Sequence, residues 1–497
     1  MTGSTLPGRP GNLTAEEEIK LRELWILSAK LFGAIEPTPS QPAPTEDTSE
    51  PSQPASTSSR KSRFGLFRRH KEETAPPSQP SAFHSTVTDL EHSGSAGNDK
   101  HGQGALFKEA MANSSPEELR DAFWQMVKHD HPDALLLRFL RARKWDVHAA
   151  MVMAISALHW RLSDSKVDSE IIYKGEMGML DAAQSTDAAE KKLGSDFMEQ
   201  IRLGKSFIRG VDKEGRPCCY VRVRLHHAGD QSEESLERFT VYTIETARLM
   251  LKPSVDTASI IFDMTDFGLS NMDYAPVKFM IKCFEANYPE SLGAVLVHKA
   301  PWVFQGIWKV IRGWLDPVVA SKVHFTNNLN DLSEFINQDN IIKELGGPDK
   351  YSYEYIEPVP GENEGMKDVA KKTELETARR SLATEYEDTI KQWATLQESD
   401  KEGFDKSRAK RDEIAGKLFT NYWAIDPLVR ARSLYDRNGE LSGVTHQSGV
   451  IKPEAARASS ISEGTQAKDS AIAQSADEKT GAVIGTPAVD PAVKVDA

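Results

Sequence analysis

Between residues 258 and 325 the chain alternates short β-branched runs with helix-length stretches, and no other feature restricts its fold as much. The runs sit at Ser259–Asp263, Ala294–His298 and Lys322–Phe325. Between them, Tyr274–Asn287 and Trp302–Trp314 carry helical spacing. Helical crossovers return the chain to the same edge, so such strands lie mostly parallel, with helices covering the sheet. Upstream, Phe207–Arg209 and Cys218–Arg224 read as strands around a turn at Asp212–Gly215, and Ser232–Leu251 reads as a helix. The expected class is α/β with a mixed, mostly parallel sheet.

A helical part precedes this lobe. Ser115-Pro116-Glu117-Glu118 is a capping box with proline at the first helical position. Helices are expected from there through Lys128, over Asp133–Lys144 and over Val147–Leu162. In the second, Leu136, Phe139 and Leu140 form an apolar stripe. Arg143 lies four residues past Phe139 and Lys144 four past Leu140, so both continue that stripe. Cations on a core-facing side need an anion, because an unpaired buried charge costs several kcal/mol. A cavity with a cationic floor is one reading. Two solvated helix-end cations favoured by the helix dipole are the other.

The flanks differ in composition. Asn12–Gly33 reads as an amphipathic helix with Thr14 and Glu17 as its capping box. Residues 36–104, rich in Pro, Ser, Thr and Gln, cannot bury enough surface to offset chain entropy and are expected to be disordered. Inside them Arg60–Lys71 interleaves Phe64, Leu66 and Phe67 with cations, which suits either an anionic-membrane contact or a plain basic linker. Met366–Leu396 and Ile414–Leu434 have helical spacing and are expected to pack back on the body. No aromatic residue follows Tyr435, so the tail is expected to be disordered. The divisions are therefore an N-terminal helix at 1–35, a linker at 36–104, a helical part at 105–175, the sheet lobe at 176–350, a helical extension at 351–435 and a tail at 436–497.

A net charge of −13 argues against generic nucleic-acid binding. Cys218, Cys219 and Cys283 read as reduced thiols of a cytosolic protein. No apolar run reaches the roughly 18 residues that a bilayer span needs, and no secretory signal opens the sequence. Membrane contact is therefore expected to be peripheral and transient. No Walker loop, GxSxG elbow, HExxH or CxxC occurs. Cys218 and Arg224 have the spacing of a Cys-phosphatase loop, but CCYVRVR alternates like a ladder strand and has no glycine to curl round a phosphate. His226-His227 reads as a loop pair rather than a metal site.

The segments LLRFLRARKWDVHAAM, GRPCCYVRV, IIFDMTDFGLSN, NYPESLGAVLVHKAPW and LDPVVASKVHF, in this order, resemble the CRAL-TRIO lipid-binding proteins, fungal phosphatidylinositol transfer proteins in particular. The resemblance implies a lipid pocket under a mobile gate helix at Trp302–Trp314. On that segment Trp302, Phe304, Ile307, Trp308, Ile311 and Trp314 suit a membrane interface, a buried core helix, or both in turn. The family's phosphatidylinositol headgroup is held by an Arg-Lys pair, an acid after proline, a threonine and a lysine. These fall on Arg143, Lys144, Glu290, Val319 and Lys322, so one hydroxyl is missing at Val319. The family's phosphatidylcholine contacts, two tyrosines, a serine and a threonine, fall on Ile208, Cys219, Ala258 and Ile260, which would leave a phosphate poorly satisfied. The resemblance thus implies a cytoplasmic phosphatidylinositol carrier, transiently on endomembranes, with no cofactor besides its lipid. A second ligand is expected to be more apolar, sterol-like or isoprenoid. The rival reading is a lipid-sensing adaptor whose tails recruit partner proteins. An enzyme is not expected.

Overall fold

Helix formation begins where the first capping box predicts. In the computed structural model, which describes residues 6–34, 87–91 and 99–441, Thr14 Oγ1 accepts from the Glu17 amide at 3.2 Å and Glu17 accepts from the Thr14 amide at 2.8 Å. This box opens α1 (Ala15–Leu31). Residues Met1–Arg437 form one unit and Asn438–Ala497 another, of which only a turn at 438–441 is described. The basic island at Arg60–Lys71 and the tail past 441 lie outside the described residues.

Part of the stretch expected to be disordered is ordered. A single helical turn, α2 (87–91), carries a fully buried Leu90. Asp99 then accepts from the amides of Gln103 (2.6 Å) and Gly104 (2.9 Å), which starts α3 (Gln103–Asn113) earlier than composition suggests. Next come α4 (Pro116–Val127), opened by the Ser115 box, α5 (Pro132–Ala142) and α6 (Val147–His159). Two further helices beyond those expected, α7 (Tyr173–Ala182) and α8 (Ala188–Arg202), lead into the sheet.

The sheet has strand order β1-β2-β3-β4-β5. β1 (Ser206–Val211) and β2 (Pro217–Arg222) are antiparallel around the Asp212–Gly215 turn, where Gly215 adopts φ +79°. β3 (Ala258–Asp263), β4 (Leu292–His298) and β5 (Val323–Thr326) continue parallel to β2. β2 ends at Arg222 because its pairing with β3 ends at Asp263, so Arg224 falls in a following 3-10 turn and not in the strand. The crossovers are α9 (Glu233–Leu249), α10 (Tyr274–Lys282), and α11 (Phe304–Arg312) with α12 (Pro317–Ser321). On one sheet face Cys218, Tyr220, Ile261, Ala294 and Leu296 pack on Leu332 of α13 (Leu329–Ser333) and on Ile336 and Ile341. The other face meets α10 and α11.

The chain then returns to the helical layer. α14 (Val369–Ala394) and α15 (Lys401–Val429) pack together, and α16 (Leu434–Arg437) closes the unit. Tyr386, Ile390, Trp393, Ile414 and Leu418 share one core with Trp25 of α1 and Leu136 of α5. The buried Asp133 carboxylate holds this layer together. It accepts from Trp25 Nε1 (2.7 Å), Tyr386 Oη (2.6 Å) and Arg411 Nε (3.0 Å), which belong to α1, α14 and α15. Both C-terminal helices thus pack on the body as their spacing predicts.

Candidate binding cavity

A cavity of about 250 Å³ lies between the second sheet face and helices α9, α10 and α11. Strand register builds its floor. Cys219 pairs with Ile260, Ile260 with Val295, and Val295 with Val323, giving one apolar row across four strands. Burial pushes the Cys219 thiol up to about 12, so it stays neutral. Ala258 lines a smaller adjoining cavity of about 50 Å³ that shares Cys219 and Ile260 with the first. Ile208 continues the row opposite Cys219 but lines neither cavity; its amide donates to Tyr435 Oη at 2.6 Å.

The roof is α11, with Phe304, Trp308 and Ile311 on the cavity and Ile307 buried beside them. Its tryptophans do not share a face. The helix runs only from Phe304 to Arg312, so its period does not reach Trp302 or Trp314. Trp302 is 87% exposed, Trp308 packs edge-on to Phe325 at 5.4 Å, and Trp314 meets Tyr274 edge-on at 5.2 Å.

Glu290 lies two residues before β4 and Lys322 one before β5, so both stand at the amino ends of the parallel strands. Lys322 Nζ lies 3.6 Å from Glu290 Oε2. Glu290 takes φ +52° after Pro289, and its carbonyl accepts from Arg138 at 3.1 Å. Val319 of α12 reaches the cavity, whereas Lys322, three residues on, turns to Glu290. Arg143 is half-buried at the end of α5 and donates to Gln103 Oε1. Burial lowers its pKa, against the opposing charges of Asp99, Asp316 and Glu285. Lys144 follows the solvated reading and not the core-facing one. α5 stops at Ala142, Lys144 turns to φ +52°, and its side chain is exposed near Lys20 and Glu23 of α1. The stripe cannot be extended past the helix that generates it.

Other cations gather where Lys144 was expected. Arg138 donates to the Asp256 and Glu290 carbonyls (2.5 and 3.1 Å), and Arg141 pairs with Asp256 at 2.8 Å. Lys100 and His101, from the stretch expected to be disordered, reach Glu285 at 2.5 and 2.8 Å. The cation-rich run LRFLRARK was the available signal for the arginines; nothing in the sequence singled out Lys100 or His101.

Residues 201–347 match the CRAL/TRIO domain and residues 105–156 the CRAL/TRIO N-terminal domain. The CRAL-TRIO domain-containing protein C3H8.02 of Schizosaccharomyces pombe is 44% identical over 442 residues, covering 88% of this chain and 93% of that protein. The chain belongs to the CRAL-TRIO family. The phosphatidylinositol transfer protein CSR1 of Eremothecium gossypii is 37% identical over 452 residues, covering 89% of this CRAL-TRIO chain and all of its relative. The Sec14 cytosolic factor of S. pombe is 28% identical over 236 residues, covering 43% and 74% of the two chains. The two longer alignments extend beyond the matched domains into the flanks. CRAL-TRIO proteins bind lipids and act at membranes; they are lipid binders, not enzymes. Among the described residues no helix is long and apolar enough to cross a membrane.

Proposed function

We propose that the protein exchanges phosphatidylinositol between membranes, with Arg143, Glu290 and Lys322 at the headgroup and the apolar floor around the acyl chains. The observation that carries this reading is a roofed apolar cavity beside the Glu290–Lys322 pair. Free transfer of a lipid exposes its chains to water at roughly 0.8 kcal/mol per methylene, on the order of 20 kcal/mol for about 30 methylenes. A cavity that replaces bilayer contacts lowers that barrier without a covalent step. The ammonium of Lys322 and the guanidinium of Arg143 suit a phosphate, and the Glu290 carboxylate suits inositol hydroxyls. Val319 supplies no hydroxyl, and neither do Cys219, Ala258 and Ile260, so a choline phosphate loses the hydroxyl contacts that the family resemblance implies at those positions. The second ligand is therefore a more apolar lipid.

The test is phosphatidylinositol transfer between vesicles by the full chain and by Lys322→Ala. Losing one charge-assisted contact lowers transfer by about tenfold or more with thermal stability unchanged. Unchanged transfer refutes the headgroup assignment. Binding without exchange would favour the adaptor reading instead.

A further inference from the structure

The cavity has a second polar end. Glu290 and Lys322 stand beside the cavity at the amino ends of the parallel strands, whereas Lys205 and His226 line it at the carboxyl ends. The Lys205 carbonyl accepts from the amide of Arg222, the last residue of β2, and His226 follows that strand by four residues. Five residues of strand at roughly 3.3 Å each separate the two ends by about 17 Å.

Lys205 is an unusual wall residue because it is only 6% exposed. Its ammonium donates to Gln231 Oε1 at 2.6 Å and makes no ion pair among the described residues. Two of its three donors thus lack a strong acceptor. Burial lowers its pKa to about 8, and the charges of Asp230, Glu199 and Asp273 only partly oppose this. His226 Nε2 is buried without a hydrogen bond, 3.4 Å from Asp273 Oδ2 in a geometry too poor to count as one. Asp273 lines this end too: its Oδ1 accepts from the Ala275 amide at 3.0 Å to cap α10, and its Oδ2 is the oxygen facing His226. The neighbouring cation is committed: Arg222 pairs with Glu344 at 2.5 Å and lies over the Phe207 ring. The remainder is a buried ammonium and an unbonded imidazole nitrogen at one end of the cavity, whose wall there also holds Gln200, Asn271 and Asp273.

The geometry points to an anion site at this end, at which Lys205 and His226 hold the carboxylate of a single-chain lipid whose hydrocarbon tail runs along the Cys219–Ile260–Val295 floor. A carboxylate supplies the acceptors that both side chains lack, and a charge-assisted bond in this low-dielectric wall is stronger than its neutral counterpart. Arg222 cannot compete for it. The inference rests on the cavity being the lipid pocket, and it names the second ligand left open above: a fatty-acid-like molecule, not a sterol-like one.

The probes are palmitate, its methyl ester and hexadecan-1-ol, each titrated against the full chain by quenching of tryptophan fluorescence, with phosphatidylinositol transfer measured in parallel. Palmitate is expected to bind at least about tenfold more tightly than the ester or the alcohol. Lys205→Met, which keeps the length of the side chain and removes the charge, is expected to abolish that preference by weakening palmitate alone, with the affinities for the ester and the alcohol retained. Equal affinity for the three probes in the unaltered protein overturns the inference whether or not the variant folds. So does equal binding of palmitate and hexadecanol, which would mark a hydroxyl site. A palmitate preference that survives Lys205→Met also overturns it. Failure to bind palmitate with phosphatidylinositol transfer intact defeats this site alone, whereas loss of both defeats the lipid pocket itself.

Discussion

Ile307 offers a way to loosen the roof of the cavity without altering its lining. It is 8% exposed and packs among the residues between α11 and the sheet, but it does not face the cavity. Truncating a buried isoleucine to alanine costs about 2–5 kcal/mol, and the residual exposure and the edge position favour the lower end. If α11 opens as a unit, Ile307 loses its packing in the open state in either protein, so the whole cost of Ile307→Ala falls on the closed state. About 2 kcal/mol then raises the open population roughly 30-fold. Native-state hydrogen exchange reads this directly. The amides of Phe304–Arg312 are expected to exchange roughly 30-fold faster, while those of α1 and α5 keep their rates. Phosphatidylinositol exchange between vesicles is expected to quicken in parallel, because opening precedes release. Equal acceleration in α1 and α5 would show that α11 unfolds only with the whole molecule, and the roof would then not be a gate. No acceleration anywhere would mean that Ile307 contributes nothing to closure.

Trp302→Ala is expected to weaken sedimentation with anionic vesicles and leave the melting temperature unchanged, since the indole is 87% exposed and supports no core; equal vesicle binding would refute an interfacial role. Asp133→Ala is expected to cost about 3–5 kcal/mol in denaturant unfolding, because Arg411 is left buried without its counter-charge; an unchanged midpoint would refute the node. Burial disfavours the Asp133 carboxylate, yet the charges of Arg411 and His131 with the Tyr386 hydroxyl outweigh it and hold its pKa below the usual range. Asp436, opposed by burial but bonded to Arg430, is held down to about 2. Both therefore stabilise the fold above the unfolded carboxylate value near about 4 and lose that contribution as pH falls below it, Asp436 as pH falls toward about 2. Circular dichroism during acid titration should show no loss above about pH 5.

The alternation of strand and helix over residues 258–325 was legible because crossover geometry leaves few choices. Both capping boxes were legible because Thr14, Glu17, Ser115 and Glu118 act locally. What was not legible depended on where helices stop and what lies across space. Lys144 leaves the stripe because α5 ends two residues earlier, and no cap signal in DALLLRFLRARK marks that end. Leu90 is fully buried although its surroundings in the sequence are polar, because its apolar neighbours come from the helical layer. Lys205 carried no sign of a site and His226 only that of a histidine pair read as a loop; the β1–β2 hairpin places the two together at the carboxyl end of the sheet. α7 is broken at Gly175, where φ is +52°, and shows no continuous apolar period, whereas α8 was missed although Asp187 with Glu190 marks its start and Phe197, Met198 and Ile201 form its buried face.

Asp133 and Arg411 are 278 residues apart in the chain. At synthesis rates of about 5–20 residues per second, the carboxylate leaves the ribosome roughly 14–56 s before its guanidinium partner is made. During that interval Trp25, Phe123 and Leu136 have their N-terminal neighbours but none of Tyr386, Trp393 or Leu418. The nascent sheet lobe can close its own core while the helical layer still shows an aromatic surface to solvent. A piece cut at residue 347, where the domain match ends, would keep that surface for good. Such a piece is expected to aggregate or to need a chaperone, and the two last long helices are in effect the cover under which the first ones become soluble.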